Sequence, residues 1–124
     1  YLMDAEEFGI GIYLEKQGLI DFDGYIYKGQ VLPPRFASMT NQKRFAVHCI
    51  NNQKEIVMAD VPSQYAQYIE DLSEYTDDIL LKSMICLPLM VGKEAIGVVS
   101  VQSNHKNAYN EYQVNVLRNL AKAA

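Results

Sequence analysis

An α+β domain built on an antiparallel sheet is the fold class that this 124-residue sequence predicts, and three stretches predict it. FGIGIYLE (8–15) puts Phe8, Ile10, Ile12 and Leu14 on one face, as a half-buried strand does. SMICLPLMV (83–91) and AIGVVSVQS (95–103) are apolar runs joined by a short glycine-containing turn, which reads as the hairpin at the centre of the sheet. NEYQVNVLRNLAKAA (110–124) sets Leu117, Leu120, Ala121 and Ala124 in one stripe at helical spacing.

The remaining elements follow in chain order. YLMDAEE (1–7) reads as the last turns of a helix that begins upstream. After the first strand, a turn over Lys16, Gln17 and Gly18 leads into LIDFDGYIYK (19–28), which completes a hairpin. In that run Ile20, Phe22 and Ile26 share one face, and Asp21, Asp23, Tyr25 and Tyr27 the other, which should be partly wet. Gly29 and Pro33-Pro34 then block regular structure, and Ser38, Thr40 and Asn41 can cap a helix starting near Asn41. On that helix Phe45, His48 and Cys49 fall to one side, and its nearly all-round apolar character predicts enclosure on both sides. IVMAD (56–60) is a short strand, and VPSQYAQYIEDL (61–72) a second, shorter helix with Tyr65, Tyr68, Ile69 and Leu72 at helical spacing. SEYTDDILLK (73–82) is acidic and irregular, a connection or a lid. Asn110 can cap the last helix, with Gln113 completing a capping box. Gly9 and Gly11, inside a strand and without a phosphate-cradling loop, are read as allowing a helix to pack closely on the sheet.

Composition narrows the function. Hydrophobic residues make up 49% and charged residues 21%, which places the chain among folded domains rather than disordered segments. A net charge of −4 with no basic run gives no electrostatic reason to approach nucleic acid. The longest apolar run, MICLPLMV (84–91), is far short of the roughly 20 residues that cross a bilayer. Cys49 and Cys86 are too few for a disulfide framework, which favours free thiols in a reducing, cytoplasmic setting. The start without Met and the last helix without a terminator suggest one domain, residues 1–124, cut from a longer protein with its first helix truncated.

At SMICLPLMVGKEAIGVVSVQS followed by NAYNEYQVNVLRNLA, the sequence resembles the GAF domain family, which closes with a Ser, an apolar strand ending in Pro-Leu, a turn, an Ile-Gly-Val strand and an exit helix. The resemblance covers essentially the whole chain and extends to the GAF domains of bacterial sensor histidine kinases, diguanylate cyclases and related regulators. It implies a PAS-related central antiparallel sheet of about five to six strands. Terminal helices lie on one face, and a small-molecule pocket roofed by the middle helices and loops lies on the other. Within that family, cyclic-nucleotide binders carry an Asn-Lys…Phe…Asp-Glu signature, whereas Asn41, Lys43 and Phe45 are crowded together here without the later Asp-Glu. Bilin binders present Cys then His, and this chain has His48 then Cys49. The free methionine sulfoxide reductase branch uses several cysteines around its pocket, and this chain has two.

RFAVHCIN (44–51) is therefore expected on a pocket wall. The candidate ligand contacts are Arg44, Phe45, His48 and Cys49, joined by Tyr65 and Tyr68 with Tyr75 nearby. His48 offers a donor and an acceptor, Cys49 packs as a small hydrophobe, and Arg44 can pair with a carboxylate or phosphate. The tyrosines either cover a ligand or seal the core. Two histidines and two cysteines at 48, 49, 86 and 105 show no metal-ligand spacing, so neither metal nor cofactor is expected. The predicted role is a non-catalytic sensor that couples an unidentified small molecule to a downstream output domain, with a homodimer through the terminal helices. The alternatives are a ligand-free dimerisation and relay module, and a thiol reductase.

Overall fold

The computed structural model describes residues 7–73 and 82–123. Residues 1–6 of the helix end expected over 1–7, and most of the acidic connection, including Tyr75, lie outside the described residues. Glu7, read with that helix end, is instead the first residue of the first strand, where it pairs with Gln102 and Tyr27. β1 (Glu7–Leu14), β2 (Leu19–Phe22), β3 (Ile26–Tyr27), β4 (Gln30–Val31) and β5 (Arg35–Ser38) come first. α1 (Phe45–Asn52), β6 (Ile56–Met58), α2 (Val61–Gln64) and a 3-10 turn over Tyr65–Gln67 follow, then β7 (Ser83–Val91), β8 (Glu94–Ser103) and α3 (Glu111–Ala123).

All pairings are antiparallel in one sheet ordered β4-β3-β1-β8-β7-β6, with β2 on β1 and β5 on β2. The expected GAF-like sheet is present, with eight strands rather than five to six because the run read as one strand over 19–28 divides at Gly24 into β2 and β3, and because β4 and β5 form in the stretch read as irregular. Regular pairing resumes directly after Pro34, whose missing N–H does not interrupt the Arg35–Ser38 ladder on β2. The β7–β8 hairpin is central and turns at Gly92, whose φ of 61° a side chain would resist.

The sheet separates two cores. On one face α3 packs on β7, and Val114, Leu117 and Ala121 bury with Ile85, Leu87, Leu89, Val99 and Val101. On the other, α1 packs across β7 and β8, so that Phe45, Val47, Cys49 and Ile50 meet Ile20, Phe22, Tyr25, Met84, Cys86 and Val98.

Four local expectations are corrected. The Phe8, Ile10 and Ile12 face of β1 is the outer one, 39–46% exposed on the α3 side, while Gly9 and Gly11 point inward. Those glycines make room for side chains rather than a helix: a Cβ at Gly9 would collide with the Tyr25 ring, and one at Gly11 would lie 2.6 Å from Ile20 Cγ2. Face alternation breaks at Gly24 (φ 87°), which turns Tyr25 into the core and leaves Ile26 exposed. α1 begins at Phe45, four residues after Asn41, because Asn41 Oδ1 accepts from the Lys43 N–H and closes a turn first. The capping box on α3 forms as read: Gln113 N–H donates to Asn110 Oδ1 (2.8 Å) and Asn110 N–H to Gln113 Oε1 (2.9 Å).

Candidate functional site

The inner face of the sheet is apolar except at one place. The β1–β8 register sets Glu7 opposite Gln102 and Gly9 opposite Ser100, and β7 continues these rows with Met84 and Cys86. Glu7, Ser100 and Gln102 are 4–6% exposed, three polar side chains on a surface otherwise built to be dry.

Tyr25 fills the space above Gly9, with its ring edge-on to Phe22 at 5.2 Å. Burial pushes its phenol well above the usual range, and a hydrogen bond with the Ser100 hydroxyl works in the opposite sense. Gln102 Nε2 donates to Ser100 Oγ at 3.2 Å. The Arg35 guanidinium lies 5.2 Å over the Tyr25 ring and 5.8 Å over the Phe22 ring, and its Nη2 is 3.4 Å from Glu7 Oε1. Arg44 lies 6.0 Å over Phe22 and acts electrostatically on Glu7. Glu7, Tyr25, Arg35, Arg44, Ser100 and Gln102 thus form one cluster.

Two features of this cluster are not those of a packing core. Burial raises the Glu7 carboxyl above its ordinary value, and this desolvation outweighs the opposing pull of Arg35 and Arg44. Among the described residues, Gln102 Oε1 is buried with no hydrogen-bond partner, an omission that costs about 1–3 kcal/mol. Unsatisfied and desolvated polar groups are uncommon in a packed interior and call for a physical explanation.

The residues expected from sequence divide between this face and its rim. Phe45 and Cys49 are fully buried, and the Cys49 thiol donates to the Cys86 carbonyl at 3.6 Å. Arg44 joins the polar cluster. His48 is only partly buried and meets Tyr68 edge-on at 5.5 Å, so the expectation that α1 is enclosed on both sides does not hold at this position. Burial, with Lys54 nearby, lowers the His48 pKa. Tyr65 and Tyr68 pack at the edge of the inner core. The Cys86 thiol is pushed up by its interaction with Cys49 and by burial, the reverse of what a nucleophile needs.

Glu7, Tyr25, Arg35, Ser100 and Gln102 are not among the residues singled out from sequence. A signal for three of them exists: Glu7 shares strand parity with Gly9 and Gly11, and Ser100 and Gln102 alternate with apolar residues in β8. On the opposite side of the sheet, an open groove of about 630 Å³ runs between Lys54, Pro88, Met90, Arg118 and Lys122. Arg118 is held there by Glu55, with Nε at 2.9 and 3.1 Å from its two carboxylate oxygens. Among the described residues, no three His, Cys, Asp or Glu side chains converge as metal ligands, and no helix is long and apolar enough to cross a membrane.

The sequence model for the GAF domain matches residues 2–124. Among solved structures, a type II free methionine-R-sulfoxide reductase from Thermoplasma acidophilum is similar at TM-score 0.74 and 14% identity, over 97% of this chain and 76% of that one. Residues 122 to 287 of a methyl-accepting chemotaxis protein give 0.74 and 16%, over 95% and 74%. The GAF domain of an Acinetobacter phosphoenolpyruvate-protein phosphotransferase gives 0.71 and 13%, over 96% and 67%. At these identities the likeness shows the fold alone. No curated protein matches the sequence.

Proposed function

From the premise that this chain belongs to the GAF domain family, we propose that it is a sensory module that takes a small molecule on the inner face of its sheet and relays occupancy through its terminal helices to an output domain. The observation that carries this reading is the buried cluster of Glu7, Ser100 and Gln102, with Gln102 Oε1 left unpartnered. The wall is completed by α1 and its surroundings: Arg44, just before α1, faces the cluster electrostatically, Phe45 and Cys49 of α1 form the apolar backing, and His48 of α1 with Tyr65 and Tyr68 at the 3-10 turn form the rim. Occupancy acts on the output only if the ligand binds two helix arrangements with different affinity.

The relay without a ligand is the second reading, favoured by the exposed row of Phe8, Ile10, Ile12 and Leu120 on and beside the α3 face, a surface suited to a homodimer. Catalysis by a thiol is disfavoured. One of the proteins compared above in fold is a reductase by name, but here both cysteines are buried and Cys86 is held protonated.

Thermal-shift screening of the full chain against nucleotides, amino acids, amines, organic acids and aromatics tests the sensing reading. A ligand at about 100 times its Kd adds roughly 2.7 kcal/mol to stability. No shift with any class, in wild type and Glu7→Gln alike, contradicts sensing and leaves the relay.

A further inference from the structure

Resting on the small-molecule reading above, we infer that Glu7 and Gln102 form an acceptor pair for a protonated primary amino group, so that the ligand this face takes carries an amine. The two residues are direct cross-strand partners, which sets their Cβ atoms about 4.5–5.5 Å apart and lets both side chains reach one ammonium with its three donors. Gln102 Nε2 is engaged by Ser100 Oγ, which leaves the amide carbonyl as the unused group.

Glu7 retains acceptor capacity as well. Its contact with Arg35 is 3.4 Å, longer than the 2.7–2.9 Å of a strong charge-assisted bond, and the Arg35 side chain is 46% exposed. The desolvated carboxylate favours a cation over a neutral donor, because only a cation offsets the charge that burial penalises. An anionic group at this point would stand beside a carboxylate and an amide oxygen and would leave both acceptors unsatisfied. Arg35 and Arg44 place two positive charges near the amine, so an acid group elsewhere on the same molecule is compatible with the site. The amino group is common to both kinds of ligand.

Calorimetry and thermal shift on the full chain at pH 7 decide between them, using alkylamines and amino acids against alcohols and carboxylic acids of matched size. The amine-bearing compounds should bind at least about tenfold more tightly than their hydroxyl counterparts. Glu7→Gln and Gln102→Leu should each reduce that affinity about tenfold or more, and wild-type affinity should fall as pH drops and Glu7 takes up a proton. Monoamines binding as well as amino acids makes the ligand a simple amine, and amino acids binding better adds the acid contact; both support the acceptor pair. Hydroxyl or carboxylate compounds binding as well as amines, or amines binding Glu7→Gln undiminished, overturn the amine assignment and leave small-molecule sensing in place. No binding from any arm overturns the amine assignment, and the broader screen then decides the sensing reading separately.

Discussion

Glu7 is a carboxylate that folding disfavours. Its pKa is raised from 4.5 mainly by burial, so the folded state prefers the protonated form. The associated stability is present below about pH 4.5 and is lost as pH rises through the folded value. Glu7→Gln should therefore be more stable than wild type at pH 7, with the difference vanishing towards pH 4, as denaturant unfolding at the two pH values will show. His48 has the opposite sign and a different window: its lowered pKa means stability present above about pH 6.5 and lost in part as pH falls below it. At Gly9 the constraint is steric. Gly9→Ala drives a methyl into the Tyr25 ring and should cost about 1–3 kcal/mol in the same measurement, because the ring is also packed on Phe22. This was the hardest scale to read from sequence. Gly9 and Gly11 are conspicuous in a strand, but only the position of Tyr25, set by the turn at Gly24, reveals what occupies the space above Gly9. Arg35 reaches Glu7 across 28 positions, a separation at which no local pattern operates.

Elements were far more legible, because their signals are local. The β7–β8 hairpin announces itself as two apolar runs with a glycine between them, and the capping box at Asn110 and Gln113 sets the start of α3. What the α3 stripe does was not legible, since helical spacing cannot separate a face packed on a sheet from one left open. Leu117 and Ala121 are buried against β7 and its neighbours, Leu120 is 61% exposed, and Ala124 lies outside the described residues. The stripe is therefore split, and the two leucines should behave differently. Leu117→Ala should destabilise the fold by about 2–4 kcal/mol. Leu120→Glu should leave stability within about 0.5 kcal/mol of wild type and, if a homodimer forms on this face, weaken it in sedimentation equilibrium. Equal association of wild type and Leu120→Glu would remove Leu120 from the interface. Asn110→Ala should cost about 1 kcal/mol through the lost cap.

At the scale of the whole molecule, the sheet is a partition between two cores, and the proposed function makes the α1 face the sensing one and the α3 face the transmitting one. α1 covers β7 and β8 on one side while α3 lies on β7 on the other, so the same central strands contact both helices. Side chains alternate through those strands: Ile85 and Leu87 pack towards α3, and Met84 and Cys86 towards α1. A displacement of the inner face therefore has a short, packed route to α3 through β7. The overall architecture was legible because the order of elements and the closing hairpin resemble one family. The polar cluster was not, because it assembles from β1, the turn before β3, β5, β8 and the residue before α1. Amide hydrogen exchange of the full chain, with and without a saturating compound from the binding screen, tests the partition most directly. Slowed exchange in β1, β8 and α1 together with altered exchange in α3 on the opposite face is the expected result. Protection confined to the inner face, with α3 unchanged, would contradict it.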